Sequence, residues 1–163
     1  MKISAIAPIA LLTIVFPLFS FSQEVNEIAK CKTSSITGTL GFSLIVRPPK
    51  NVKVKKGFDV DYGYYSIGYG PKKARDWLRG IYGPFPAGNV PENLTKGATD
   101  VTTRKWKSGR VNGVDSRGKD AGGKYWRYLG LWGEAIRYEN ASKESAKFFD
   151  GILDSICFID KFR

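Results

Sequence analysis

Strand-forming residues dominate the chain from position 41 to position 138, and this pattern limits the possible folds more than any other feature. Aromatic and β-branched side chains concentrate in Gly41–Arg47, Phe58–Tyr69, Thr99–Lys107 and Tyr125–Tyr138. Such side chains fit the pleated surface of a β-sheet. Glycine, proline and charged residues separate these segments, which is typical of turns between antiparallel strands. The sequence therefore predicts a mainly antiparallel sheet.

The stretch Pro71–Tyr82 has two interpretations. Ala74, Trp77, Leu78 and Ile81 follow helical spacing, and proline suits the first turn of a helix. The last six residues of the stretch can instead return as a hairpin strand after a Gly-Pro turn. The sequence does not decide between them.

Two basic segments are predicted as loops. Lys50–Gly57 follows a pair of prolines, and Asp115–Lys124 is rich in glycine and charge.

The clearest helix lies near the C-terminus. Ser142 is a suitable N-cap, and Glu144 in the first turn favours the helix dipole. One face carries Ala146, Phe149, Ile152, Leu153 and Ile156. Together with the strands, this helix predicts an α+β fold: an antiparallel sheet of about five to seven strands with the C-terminal helix packed on it.

The last quarter of the chain resembles the close of PsbP/Mog1-like α/β/α sandwich domains. The resemblance rests on the strand Tyr125–Tyr138, the Asn140-Ala141-Ser142 connection, the helix and an apolar tail. It covers this quarter alone and rests on the order of elements. It implies a non-enzymatic scaffold that docks on partners.

The N-terminus has the features of a cleavable signal peptide. Lys2 precedes an apolar run from Ile3 to Phe21, and Ser20 and Ser22 give the small-x-small pattern that signal peptidase reads. We expect residues 1–22 to be removed and residues 23–163 to form a single extracytoplasmic domain, periplasmic or secreted. Loss of Lys2 leaves 25 Lys and Arg against 15 Asp and Glu, a net charge of about +10.

Two cysteines remain in the mature chain, Cys31 near its start and Cys157 near its end. In an oxidising compartment, such an even pair predicts a disulfide. The alternative is two buried free thiols.

Several kinds of chemistry lack their usual residues. The chain contains no histidine, which excludes Ser-His and Cys-His catalysis and removes the commonest zinc ligand. Gly118–Lys124 matches the spacing of a phosphate-binding loop, but Tyr125 stands where that motif needs Ser or Thr, and a strand pattern follows instead of a helix. A calcium site on Asp115 and Asp120 would need more carboxylates than this loop has. The sequence implies no metal, nucleotide or other cofactor.

Two patterns leave an enzyme open as an alternative. Asp59 and Asp61 would share a face of a strand and could serve a glycosidase as paired carboxylates. Ser142-Lys143 is a weak Ser-Lys pair. Both patterns more often mark ordinary exposed polar residues, so no catalytic residue is assigned.

Positive charge interleaved with aromatic residues is the most distinctive functional pattern. Such surfaces bind anionic partners, with aromatic rings as stacking platforms. The alternatives are solvated faces of a merely basic protein, with the aromatic residues in the core. The candidate binding residues are Lys53, Lys55, Lys56, Arg104, Lys105, Trp106, Lys107, Arg110, Arg117, Lys119 and Lys124.

These observations favour a non-catalytic, basic extracytoplasmic binding or accessory protein. Its acidic partner would be a protein, a glycan or an envelope surface. The alternatives are a secreted hydrolase that uses carboxylate or lysine chemistry and an extracellular nucleic-acid-binding protein.

The predicted disulfide between Cys31 and Cys157 can be tested directly. Peptide mapping of the exported protein without reduction should recover the two cysteine peptides as one linked species. Reduction should lower the free energy of unfolding by about 2–5 kcal/mol, because the bridge closes most of the mature chain into one loop. Two alkylatable thiols in the unreduced protein would contradict the prediction.

Overall fold

Ten strands and two helices make up the described part of the chain. The computed structural model describes residues 26–27, 44–83, 88–108, 111–131 and 133–158. The elements are β1 (Asn26–Glu27), β2 (Leu44–Ile45), β3 (Lys53–Phe58), β4 (Gly63–Tyr69), β5 (Asp76–Tyr82), α1 (Glu92–Thr95), β6 (Thr99–Ser108), β7 (Val111–Lys119), β8 (Tyr125–Leu131), β9 (Glu134–Ala141), α2 (Lys143–Leu153) and β10 (Cys157–Phe158).

Eight of the strands form one sheet in the order β1-β6-β7-β8-β9-β5-β4-β3. All neighbours pair antiparallel except β1, which runs parallel to β6. A separate two-stranded sheet joins β10 to β2. The α+β class is confirmed. The large sheet has one strand more than the predicted maximum, because the two-residue β1 adds to its edge.

The undecided stretch before Tyr82 forms strand β5 and no helix. It pairs with β4 so that Leu78 faces Ile67, and both side chains are fully buried. Leu78 and Gly80 point to one face, while Trp77, Arg79 and Ile81 point to the other. Cross-strand burial on the sheet outweighs the helical spacing, which local sequence alone could not show.

Two segments predicted as loops are partly strand in the structure, and one segment predicted as a single strand is divided between two strands. β3 occupies most of the basic segment Lys50–Gly57, and β7 extends through Lys119 into the glycine-rich segment. The aromatic run Phe58–Tyr69 is divided by a turn at residues 59–62. These segments have weak strand propensity, and they are ordered by the ladder hydrogen bonds to β4 and β8.

One face of the sheet, called the inner face here, is covered by α2 and the β2–β10 pair. Ser142 caps α2, its Oγ accepting from the Ser145 N–H at 3.2 Å, as the sequence predicts. Phe149 is fully buried against Tyr138, with ring centroids 5.5 Å apart. The apolar face of α2 therefore joins the main core, with Ala146, Ile152 and Leu153.

Arg127 on β8 lies beneath α2, with only 6% of its side chain exposed. Its guanidinium donates to both carboxylate oxygens of Asp115 on β7, at 2.9 and 2.8 Å. It also donates to Asp150 at 3.1 Å and to Asp154 at 2.8 Å, at the end of α2. Burial lowers the pKa of Arg127, but the hydrogen bonds and charge of Asp115, with those of the helix carboxylates, outweigh burial and raise it.

Aromatic rings lie directly across glycines on neighbouring strands. In six cross-strand pairs, a Cβ added to the glycine would meet the ring of its partner closer than carbon atoms approach each other. Because glycine has no side chain, each ring can lie against the backbone of the next strand. The pairs are Gly57–Tyr64, Gly63–Tyr82, Gly68–Trp77, Gly80–Tyr65, Gly113–Trp106 and Gly118–Trp126.

The signal peptide and half of the predicted disulfide fall on residues that the structure does not describe. Residues 1–22 and Cys31 lie outside the described residues. Cys157 is buried, 7% exposed, on β10. The disulfide therefore stays a prediction. The described residues include no helix long and apolar enough to cross a membrane.

We expect Gly80→Ala to destabilise the sheet by about 1–3 kcal/mol, because its methyl group would overlap the buried ring of Tyr65. Gly151→Ala is the matched control. It lies in α2 with nothing within 4 Å of an added Cβ, and alanine there should add roughly 0.5–1 kcal/mol. Urea denaturation measures both, and an equal effect of the two changes would contradict the role of the glycine–aromatic contact.

We expect Arg127→Met to lower the free energy of unfolding by about 3–5 kcal/mol, because it leaves the half-buried Asp115 and Asp150 without a counter-charge. Lys119→Met serves as a control. It removes an exposed ion pair with Asp100 of 2.7 Å, and such pairs contribute at most about 1 kcal/mol. Similar losses of unfolding free energy for the two variants would show that the buried ion pairs of Arg127 stabilise the fold no more than an exposed pair does.

Candidate functional site

The face opposite α2, called the outer face here, is covered over only part of its width. Leu94 of α1 packs on Val114, Trp126 and Tyr128 of β7 and β8, with Val90 and Ala98 beside it. That segment covers one half of the outer face. The other half consists of β3, β4, β5 and β9, where side chains such as Arg79 and Ile81 are exposed.

A line of cations crosses this open half at right angles to the strands. Lys55 on β3 lies opposite Ser66 on β4, Ser66 lies opposite Arg79 on β5, and Arg79 lies opposite Arg137 on β9. Directly opposite residues project from the same face of a sheet. Three strand spacings separate the ends of the line, about 14 Å. We call the three cations of this line, Lys55, Arg79 and Arg137, the cationic row.

Trp77 lies two residues along β5 from Arg79 and holds two cations against its ring. Lys55 Nζ is 4.8 Å from the ring centroid, and the guanidinium carbon of Arg75 is 5.9 Å from it. Such contacts contribute about 0.5–1 kcal/mol at exposed sites. The half-buried indole rests beside Gly68. Trp77 therefore fixes the position of Lys55 at one end of the cationic row.

On its other side, the cationic row borders exposed apolar side chains. Tyr64 on β4 lies opposite Ile81 on β5, and these two side chains are 42% and 38% exposed. The ring of Tyr62 lies 6.5 Å from that of Tyr64, and Val60 follows at the hairpin tip. We call Val60, Tyr62, Tyr64 and Ile81 the apolar patch. The open face thus combines charge with adjacent apolar surface.

Carboxylates are few at this face and lie at one end of it. Glu139 approaches Arg137 at 3.7 Å, a loose ion pair. Both line a shallow groove of about 220 Å³ with Arg75, Asp76 and Arg79. The Asp76 carboxylate does not neutralise the row, because it accepts a hydrogen bond from the Ser142 N–H at 3.1 Å. Within the described residues, neither Lys55 nor Arg79 forms an ion pair, so the row keeps positive charge available for a ligand.

The candidate binding residues taken from the sequence do not form one patch. Lys53 and Lys55 lie on the open outer face, while Lys56 points to the inner side of edge strand β3. A second group lies on β6 and β7, separated from β3 by β8, β9, β5 and β4. In that group, Lys105 and Lys107 share the outer side of β6, and Arg104 and Arg117 the inner side.

The remaining candidates have other roles or lie apart. Trp106 is 3% exposed and packs against Phe158, so its ring belongs to the core and is no stacking platform. Lys119 is paired with Asp100 at 2.7 Å, and this pairing raises the pKa of Lys119. Lys124 is exposed in the β7–β8 loop, and Arg110 lies outside the described residues.

Sequence reasoning missed Trp77, Arg79 and Arg137 as candidates. The signal was the alternation in Asp76–Tyr82, where Trp77, Arg79 and Ile81 occupy every second position. That alternation was obscured by an equally good helical spacing. Arg137 comes from a separate strand, and only the β5–β9 pairing brings it beside Arg79.

Most of the acidic and hydroxyl groups considered for catalysis or calcium binding make structural contacts. Asp59 and Asp61 lie in the turn between β3 and β4 and are exposed, not paired on a strand. The Asp59 carboxylate accepts from the Val60 N–H at 2.8 Å, and its hydrogen bond to the Tyr62 phenol raises the pKa of Tyr62. Ser142 serves as the cap of α2. Asp115 is bound by Arg127.

The segment Gly118–Lys124 has the spacing of a phosphate-binding loop, but in the structure it connects β7 to β8 as a hairpin. Asp120 Oδ1 accepts from the backbone N–H groups of Gly122 at 2.8 Å and Lys124 at 2.9 Å. Strand β8 follows immediately, with no helix N-terminus to face a phosphate. The carboxylate therefore occupies the amides that would otherwise be available to an anion.

Comparisons with known proteins give no relative: no family model, curated protein or solved structure matches this chain. Its function must therefore be argued from the geometry of the open outer face.

Proposed function

We propose that this chain is a non-catalytic, basic extracytoplasmic binding or accessory protein, and that its cationic row engages an acidic partner. The observation that carries the proposal is the register Lys55–Ser66–Arg79–Arg137 across four adjacent strands. Like charges placed side by side on a sheet destabilise it. Arg79 and Arg137 are such a pair, and within the described residues only Arg137 of the row has an ion-pair partner, Glu139 at 3.7 Å. A row of cations that costs stability and leaves Lys55 and Arg79 without carboxylates favours a role in binding.

The geometry suits electrostatic recognition. Neighbouring cations of the row are one or two strand spacings apart, about 5 Å between Arg79 and Arg137 and about 10 Å between Lys55 and Arg79, which does not exceed the Debye length of about 8–10 Å at physiological salt. Their fields therefore add at the surface and attract an acidic partner during encounter. Because Trp77 holds Lys55 in place, binding costs less side-chain entropy than it would for a freely moving lysine.

Export and the disulfide belong to the same proposal. The N-terminal pattern around Lys2 and Ser22 supports secretion or a periplasmic location, and Cys31 and Cys157 suit an oxidising compartment. The resemblance of the last quarter to PsbP/Mog1-like domains implies a scaffold that docks on partners. It agrees with a binding role but identifies no residue that carries it.

A nucleic-acid-binding protein is the nearest competing function. Single-stranded nucleic acids stack their bases on exposed aromatic faces. Here Lys55 and Arg75 already lie over the ring of Trp77, and Trp106 is buried. The rings of Tyr62 and Tyr64 are exposed beside the cationic row, so the two functions are distinguished by the salt dependence of binding to single-stranded DNA.

The proposed function is tested by reversing charge on the cationic row. The mature protein, residues 23–163, is immobilised, exposed to extracellular or periplasmic extract and eluted with a salt gradient. We expect wild type to retain an acidic component at stoichiometric yield and Lys55→Glu/Arg79→Glu to lose it, because charge reversal repels an acidic partner.

The matched control is Lys143→Glu/Lys147→Glu, which makes the same change in net charge on exposed positions of α2. It should retain the component. Equal loss with both variants would show that only net charge matters, and this would contradict a site on the outer face. A steep loss of affinity with salt for single-stranded DNA would instead favour the nucleic-acid function.

A further inference from the structure

The hairpin between β3 and β4 presents large apolar side chains to solvent at its tip. Val60 is 89% exposed, and Phe58, which is 75% exposed, lies at the end of β3 on the inner side of the sheet, the side that also carries Lys56. A solitary exposed apolar residue needs no explanation, but a group of them at a protruding tip is typical of an interaction site. The tip continues into the apolar patch through Tyr62 and Tyr64, whose rings are 6.5 Å apart.

The tip is held in one conformation by its own hydrogen bonds. The Asp59 N–H donates to the Tyr62 carbonyl at 2.8 Å, which closes the turn around Val60 and Asp61. The Asp59 carboxylate accepts from the Val60 N–H at 2.8 Å, and the Tyr62 phenol is hydrogen-bonded to the same carboxylate. An ordered tip loses little conformational entropy when it enters a partner, so its apolar contacts can contribute directly to affinity.

The apolar patch and the cationic row form one continuous surface. Tyr64 and Ile81 lie two residues along their strands from Ser66 and Arg79, about 7 Å. Protein–protein interfaces combine a desolvated apolar and aromatic centre with a charged, hydrated rim. Tyrosine and arginine are also the residues that most often carry binding energy there.

We propose, on the basis of the proposed function, that the acidic partner is a folded protein. Its surface would contain an apolar recess that encloses the hairpin tip, with Val60 at the turn and Phe58 on the inner side of the tip, and carboxylates beside the recess would face the cationic row on the outer side. In this arrangement, the hairpin tip controls how slowly the complex dissociates. The cationic row controls how fast it forms and how strongly that rate depends on salt.

Other acidic partners match the surface less well. An anionic polysaccharide would satisfy the cationic row but would leave the hairpin tip unused. An anionic membrane would have to take up Asp59 and Asp61 beside Val60 at the tip, and burying a carboxylate in lipid is costly. A second copy of this chain would bring another cationic row of the same sign to the interface.

The experiment uses the full mature protein with a photo-crosslinking amino acid at the exposed position of Asp61. The protein crosslinked in extract is identified, purified and titrated against four forms of the chain: wild type, Phe58→Ser/Val60→Ser, Lys55→Glu/Arg79→Glu and Val101→Ser. Val101 is 44% exposed on β6, away from the hairpin, so its change is the matched control for loss of an exposed apolar side chain. Circular dichroism and thermal unfolding confirm that each variant folds.

We expect Phe58→Ser/Val60→Ser to weaken the reconstituted complex about tenfold or more, mainly through faster dissociation. Lys55→Glu/Arg79→Glu should slow association and flatten its salt dependence, and Val101→Ser should change neither rate. Unchanged affinity of the tip variant would overturn this inference and leave the proposed function standing.

Two further outcomes would separate the alternatives. Binding to oligogalacturonate, or to phosphatidylglycerol-containing phosphatidylcholine vesicles, without a reconstitutable protein complex would show that the partner is a glycan or a membrane and would overturn the inference. If no acidic protein, oligogalacturonate or vesicle binds through the cationic row, the proposed function fails as well.

Discussion

The buried guanidinium of Arg127 is the interaction on which the arrangement of the two layers depends. It joins Asp115 of β7 to Asp150 and Asp154 of α2, so one cation links two adjacent strands to the helix. The Tyr138 phenol donates to the same Asp150 at 2.9 Å. A buried charge is tolerated only when its hydrogen bonds are satisfied. The part of the inner face beneath α2 is therefore closed to a partner, whereas outer-face side chains of β3, β4 and β5, such as Lys55, Tyr64 and Arg79, are exposed.

Three of the six glycine–aromatic pairs, Gly57–Tyr64, Gly68–Trp77 and Gly118–Trp126, lie on the outer face. Because Gly57 and Gly68 have no side chain, Tyr64 and Trp77 can lie against the backbone of the neighbouring strand. These rings fill the gaps that glycine would otherwise leave in a strand, where it packs poorly. On this half of the sheet they also border the cationic row on its two sides. Packing and presentation of charge are thus achieved by the same side chains.

The cations of this protein fall into two physical classes. Arg127 and Lys119 are satisfied by carboxylates and contribute to the fold. Lys55 and Arg79 lie on an open sheet face, and among the described residues neither has an ion-pair partner. Composition counts both classes alike, so the net charge of the chain overstates the part that can meet a partner. Register decides which cations act together, because it places residues distant in sequence side by side.

The sequence alone determined the α+β class. It also determined the helix capped by Ser142, with its apolar face, and the strands built on aromatic and β-branched residues. These features depend on local periodicity and capping. The sequence also indicated a basic binding protein but selected Trp106, which the fold buries. The tertiary structure decided that Asp76–Tyr82 is a strand, that β3 forms from a lysine-rich segment, and that Arg79 meets Arg137. β3 and β5 form by pairing with β4, their neighbour along the chain, and β5 also pairs with the distant β9, which brings Arg79 beside Arg137. No local pattern encodes that pairing, because the burial and the ladder hydrogen bonds that stabilise it exist only in the assembled sheet.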